Sequence, residues 1–209
     1  MENIIVIGGG GHAKVVISIL KKNYQFNIIG YSDLEDYGPL LNINYIGNDD
    51  LVIENYADKS INVILGVGQI KSPELRKHLV EQYINAGFKF PAIISPQAIV
   101  NESVVVGNGT VVMDNVVINT GSIIGNYSIL NTSSIIEHDC NIGDFVHIAP
   151  GVTLSGEVAI CNNTFIGAGS TVANSVSISE NCIIGAGSFV RKNISQSGLY
   201  VGNPIKKYK

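Results

Sequence analysis

The sequence predicts a two-part fold, a small Rossmann-like α/β domain followed by a parallel β-solenoid written in hexads. Two observations carry that reading. From Val100 to Val190 every sixth residue is aliphatic, sixteen positions without an exception. The residue four places after each of them is small or β-branched, from Val104 through Ser122, Ser134 and Cys140 to Ile194. A helix period of 3.6 does not produce that register, nor does strand alternation; a six-residue period held without a slip is a solenoid repeat. Upstream, residues 3–7 form an apolar run of strand length that meets Gly8-Gly9-Gly10-Gly11 and then a helical pattern over residues 13–20, the opening of an α/β unit.

Each hexad supplies one short strand and one turn, and three hexads close one coil of a triangular prism. The aliphatic residue points inward, the small residue fits the inner corner, and Asn, Gly, Asp and Ser occupy the turns. One coil cannot bury its own apolar row, so coils must stack. At three hexads per coil the repeat gives about five coils. Gly107, Gly125 and Gly143 lie eighteen apart, as do Gly167 and Gly185, which agrees with three sides.

Composition bounds the function. With 209 residues the chain has room for one large or two modest domains. Charged residues make up 14% and the net charge is −4, which argues against nucleic acid or an anionic membrane as the main partner. No apolar run approaches the ~18 residues of a membrane span, and Met1-Glu2-Asn3 lacks the basic start of a signal peptide. Cys140, Cys161 and Cys182 show no metal spacing and read as reduced cysteines of a cytoplasmic protein.

In chain order, the Gly8–Gly11 loop before a helix N-terminus is a recipe for holding a phosphate, because free N–H groups converge there and the helix dipole favours an anion. A second apolar strand over residues 26–31 ends at Ser32-Asp33, where an acidic residue about twenty positions past the glycines suits a ribose or base donor. Residues 61–67 form a third strand ending in Gly66-Val67-Gly68, and Pro73 opens a helix that stops at Ala86-Gly87. The loop alone is open to three readings: a tight turn with nothing bound, half of a dinucleotide site, or a mononucleotide or nucleotide-sugar site, which suits the space before residue 90 better. The expected domains are residues 1–90 for nucleotide-sugar binding, a Pro-rich linker over 91–98, the solenoid over 99–194 and a C-terminal cap over 195–209. The tail lysines, Lys206, Lys207 and Lys209, are either a solvated terminus or a contact for the phosphates of a ligand.

Four histidines are present. His78 sits in the last helix of the first domain and reads as a surface residue; His12 sits at the glycine loop. His138 and His147 fall on the repeat, half a coil apart, at positions that should both face outward. His138 is followed by Asp139. Acyl transfer from a thioester needs a base for the nucleophile's proton and donors for the tetrahedral oxyanion. An imidazole with an adjacent carboxylate supplies the base, since the carboxylate fixes the tautomer and raises basicity.

The hexads, the block from Ile129 to His147 with its Ile-Ile-Glu-His-Asp-Cys core, and the closing Gly202-Asn203-Pro204 resemble the hexapeptide-repeat acyltransferases. More narrowly, they are similar to the bacterial UDP-4-amino-sugar N-acetyltransferases of the N,N′-diacetylbacillosamine type. The resemblance implies a left-handed parallel β-helix, a deviation from right-handed crossovers, and a homotrimer with coenzyme A in the groove between prisms. It implies acetyl-CoA as co-substrate, no metal, and acetylation of the 4-amino group of a UDP-linked 4-amino-4,6-dideoxy sugar. By the same resemblance His138 is the general base and Asp139 its support, one methylene shorter than the Glu common in relatives. His147, Gly156, Ala168 and Ala186 fall at acetyl-CoA positions. Gly10, Gly11, His12, Ser32, Asp33 and Gly68 fall at nucleotide-sugar positions, although relatives carry a Ser in the first loop where this chain has only glycine. GDP-perosamine N-acetylation, sialic acid O-acetylation and non-catalytic nucleotide-sugar binding stay open as alternatives.

Overall fold

The structure is a computed structural model describing residues 1–70 and 72–208, so Lys209 of the basic tail lies outside the described residues. The chain divides into two compact units, Met1–Pro96 and Gln97–Lys209.

In the first unit β1 (Glu2–Ile7) is the middle of a three-stranded parallel sheet, flanked by β2 (Phe26–Ser32) and β3 (Asn62–Leu65). Ile4, Ile5, Val6 and Ile7 are all fully buried, as a central parallel strand covered on both faces requires. Helix α1 (Gly11–Lys22) buries Ala13, Val16, Ile17, Ile19 and Leu20 on one stripe, and its last turn carries Lys21 and Lys22, which complement the helix dipole. Its N-cap, Gly10, offers no capping side chain. Helix α3 (Glu74–Asn85) follows β3 as the sequence predicts. Helix α2 (Asp49–Tyr56) is an addition: the Asn48 side chain accepts from the Leu51 N–H at 3.0 Å and starts a helix too short and too polar to announce itself by periodicity.

The second unit is the predicted solenoid. Two-residue strands pair in parallel with the strand eighteen residues on, as in Ile129–His147–Phe165 and Ile135–Thr153–Thr171. Eighteen-residue pairing gives three faces, one of six strands starting at Ile99–Val100 and one of five starting at Val105–Val106. The third runs from Val111–Val112 through His147–Ile148 to Cys182–Ile184 and the added strand Gly198–Val201. That last strand turns back in an antiparallel hairpin with Lys206–Tyr208, where Lys207 Nζ donates to Gln196 Oε1 at 3.3 Å.

Two features maintain the sixes. Every second turn residue from Ser103 to Gly187 lies at positive φ, fifteen in a row, and ten of these are not glycine, with φ between 53° and 62°. Asp139 and Phe145 are among them. The small inner residues also do more than fit. Ser128 Oγ donates to the Gly143 carbonyl at 2.9 Å and accepts from the Val146 N–H at 3.0 Å. Thr110, Ser122, Thr164 and Ser170 make the same pair of bonds to the next coil. Buried corners would otherwise leave these backbone groups without partners. Ser134 is the exception, its buried hydroxyl having no partner.

Candidate active site

The first unit opens a cavity of about 370 Å³ at the carboxyl ends of its strands. Gly10, Gly11, His12, Asp33 and Gly68, five of the six residues expected to hold a nucleotide sugar, line it. The loop's geometry explains which glycines are needed. Gly8 has φ +106, and a Cβ on Gly9 would lie 2.9 Å from the Tyr31 ring, whereas Gly10 and Gly11 face open space. Asp33 ties the loop down, since Oδ2 accepts from the Gly9 N–H at 2.5 Å and Oδ1 from the Leu34 N–H at 2.6 Å. Ser32, expected at the ligand, is instead fully buried and donates to Asp49 Oδ1 at 2.9 Å. The side chain of the last β2 residue points beneath the cavity, and Asp49 stands in the wall. Arg76, buried on α3, donates to the Val67 carbonyl and fixes the β3–α3 turn; burial lowers its pKa to about 9.

On the solenoid, His138 and Asp139 form one turn between the six-stranded and five-stranded faces. Asp139, in its left-handed conformation, reaches back to His138, and Nδ1 and Oδ2 are 2.9 Å apart. The carboxylate is acceptor-only, so Nδ1 carries the hydrogen and Nε2 of the neutral ring keeps its lone pair. The bond to Asp139 raises the His138 pKa above its ordinary value; Asp139, Glu137 and Glu157 add through charge. Half of the side chain stays exposed. Gly156, one coil on, backs the ring: a Cβ there would lie 2.5 Å from Nε2.

His147 differs from expectation. It occupies an outward strand position, yet it is only 7% exposed. Phe165 meets its ring edge-on, with centroids 5.2 Å apart. The Asn131 amide bonds Nε2 at 3.2 Å, and because Asn131 Oδ1 already accepts from the Thr132 N–H, the amide donates and Nε2 accepts. His147 also lies on the third face, across the prism from the turn that holds His138. Ala168 and Ala186 stack at a different turn from His138, both exposed, eighteen residues apart. A single solenoid therefore brings Gly156 to His138 but not His147, Ala168 or Ala186. Among the described residues no group of three metal-ligating side chains converges.

Comparison with known proteins bears on both units. The PglD N-terminal domain matches residues 3–83, and the bacterial transferase hexapeptide family (six repeats) matches residues 157–192. The acetyltransferase domain of PglB from Neisseria gonorrhoeae FA1090 is 30% identical, with TM-score 0.92 and all of both chains covered. The chain belongs to the hexapeptide-repeat sugar N-acetyltransferases. A histidine-to-asparagine variant of perosamine N-acetyltransferase from Caulobacter crescentus, solved with CoA and GDP-perosamine, is 31% identical with TM-score 0.92, covering 100% of this chain and 98% of that one. The GDP-perosamine N-acetyltransferase of Escherichia coli O157:H7 is 26% identical over 168 residues, 78% of this chain and 74% of that protein. Membership of the sugar N-acetyltransferases makes the chain an acyltransferase with an α/β domain ahead of a parallel β-helix, as the hexads predict.

Sequence reasoning missed two residues of the first unit, Asp49 and Tyr83. The Asn48-Asp49-Asp50-Leu51 stretch carries a helix-start signature that locates Asp49; nothing in the sequence links Tyr83 to it. No described helix is long and apolar enough to cross a membrane.

Proposed function

We propose that the chain transfers the acetyl group of acetyl-CoA to the 4-amino group of a nucleoside-diphosphate-linked 4-amino-4,6-dideoxy sugar. The observation that carries this reading is the His138–Asp139 pair with its accepting nitrogen turned to Gly156. The neutral sugar amine attacks the thioester carbonyl and forms a tetrahedral oxyanion. His138 Nε2 takes the ammonium proton, and Asp139 stabilises the imidazolium through Nδ1–H. The intermediate collapses, the C–S bond breaks, and the imidazolium proton passes to the leaving thiolate. Amide and free CoA result, and the base is regenerated. No acyl-enzyme forms in this scheme: Cys140 is buried, and burial raises its pKa.

His147, Ala168 and Ala186 bind acetyl-CoA in this reading, together with the Gly156 backbone. Because His147, Ala168 and Ala186 lie away from His138 on one prism, the proposal includes a homotrimer in which one subunit's base and Gly156 backbone meet those three residues of its neighbour. Gly10, Gly11, His12, Asp33 and Gly68 hold the nucleotide, and Ser32 acts through Asp49. The motif block around His138 favours a UDP-linked acceptor. The Asp49 carboxylate in the cavity wall favours a GDP-linked one.

The test is acetyl transfer to a panel of nucleoside-diphosphate 4-amino sugars, read by mass spectrometry. His138→Ala is expected to lose about 10²–10⁴ in turnover, the worth of a general base. Turnover within about tenfold of wild type would remove His138 from that role. A chain that binds the nucleotide sugar but shows no thermal shift with acetyl-CoA would be a binding protein and not an enzyme.

A further inference from the structure

The cavity of the first unit has one wall that the reaction scheme does not use. Its sides are apolar, made by Ile7, Val67, Leu75 and Leu79, and Asp49 also lines it. Two buried hydroxyls hold the Asp49 carboxylate by the same oxygen: Ser32 Oγ at 2.9 Å and Tyr83 OH at 2.7 Å both meet Oδ1. Ser32 and Tyr83 are each fully buried, and Tyr83 is wedged edge-on against Phe88 with ring centroids 5.2 Å apart. Burial pushes the Tyr83 pKa up, so its hydroxyl stays a donor at any ordinary pH. Two donors fill the two lone-pair sites of Oδ1. Oδ2 accepts from no side chain or backbone group among the described residues. Asp33, the other carboxylate at the cavity, already gives one oxygen to the Gly9 N–H and the other to the Leu34 N–H. Asp49 is thus a fixed acceptor in a wall otherwise suited to a flat, apolar-faced ring.

We propose that Asp49 is the specificity-determining residue for the nucleobase and that it selects guanine over uracil. This rests on the reading of the first unit as a nucleoside-diphosphate sugar site. An ionised carboxylate only accepts, so the ring it faces must present donors. Guanine offers N1–H and the N2 amino group side by side on one edge, and both converge on Asp49. Uracil offers a single N3–H between two carbonyl oxygens, and a carboxylate at that edge meets like partial charge on either side. The Gly8–Gly11 loop would take the phosphates, and a base between Val67 and the α3 leucines would share the cavity with the Asp49 carboxylate. Discrimination arises from leaving Asp49 unmatched with the wrong base, the form of selection that buried polar groups make strong.

Calorimetric titration of the full chain with GDP, IDP and UDP tests the proposal without any substitution. GDP should bind about tenfold or more tighter than UDP, with IDP, which lacks the N2 amino group, between them. Asp49→Asn should weaken GDP about tenfold or more while leaving UDP within about threefold, and Tyr83→Phe should weaken GDP in the same direction by a smaller factor. UDP binding as tightly as GDP to the wild-type chain overturns the proposal. So does an equal loss of both nucleotides in Asp49→Asn, which would make Asp49 a ribose or phosphate contact. Failure of all three nucleotides to bind would overturn the nucleotide-site reading itself, whereas a uracil preference leaves that reading standing.

Discussion

Replacing Gly156 with alanine tests the catalytic geometry with one added methyl group. The new carbon would stand 2.5 Å from His138 Nε2, 2.6 Å from Cε1 and 3.2 Å from Cδ2. Non-bonded contacts settle near 3.5 Å, so the ring must retreat by about 1 Å. It has room to do so, because 52% of the side chain is exposed. The retreat draws Nδ1 away from Asp139 Oδ2, now 2.9 Å distant, and moves Nε2 off the line to the acceptor amine. A displacement of ~1 Å at a reacting centre costs roughly 10²-fold in rate. Turnover should therefore fall about 10²-fold, no further than in His138→Ala. The fold should hold, since Gly156 has no left-handed φ and the moving group is a surface side chain. The assay is release of free CoA thiol in the presence of a nucleoside-diphosphate 4-amino sugar, with a melting curve alongside. Turnover within about threefold of wild type would refute the reasoning. So would turnover left unchanged beside a raised Michaelis constant for acetyl-CoA, because residue 156 would then meet only the donor and leave the base in place.

The remaining predictions concern charge and the inner corners. Asp139→Asn keeps a side chain that tolerates left-handed φ but removes the group that raises the His138 pKa. In the proposed scheme the active form is the neutral ring, so activity should appear as pH rises through the His138 pKa. The acid limb of the kcat profile should move to lower pH in this variant while the plateau drops; an unmoved limb would separate Asp139 from the titrating base. Ser128→Ala leaves the Gly143 carbonyl and the Val146 N–H without their bridge and should destabilise the chain by about 2–4 kcal/mol in denaturant unfolding. Ser134→Ala removes a buried hydroxyl that bonds nothing and should be neutral or stabilising. Equal effects from the two would mean the inner hydroxyls are only space-fillers.

The solenoid was readable because its period is enforced at every hexad by one requirement, an aliphatic residue inside. The reason for the small residues was less visible. Composition cannot distinguish a corner that needs a small volume from one that needs a bridging hydroxyl, and Ser128 and Ser134 differ only in what their hydroxyls meet in the fold. The run of left-handed turn residues was also hidden, because Tyr127, Phe145 and Glu157 adopt that conformation against their ordinary preference. At the candidate site, the His138–Asp139 pair follows from sequence neighbours and a turn between them. His147 does not, since what covers it, Phe165 and Asn131, lies eighteen and sixteen residues away in sequence. Ser32 reads as a ligand residue by its place after β2. Strand alternation and a partner fifty-one residues on, Tyr83, turn it inward.

Because the proposed base and the proposed donor residues stand on opposite sides of each prism, a mutation in either should spoil a different half of any shared site. Two individually impaired preparations, one lacking the imidazole at 138 and the other lacking it at 147, would then restore each other when unfolded, mixed and reassembled at limiting acetyl-CoA. Random assortment in a closed ring leaves about a quarter of the junctions with both halves intact. Such complementation between broken copies is what a chain carrying half of two sites, and the whole of none, would show.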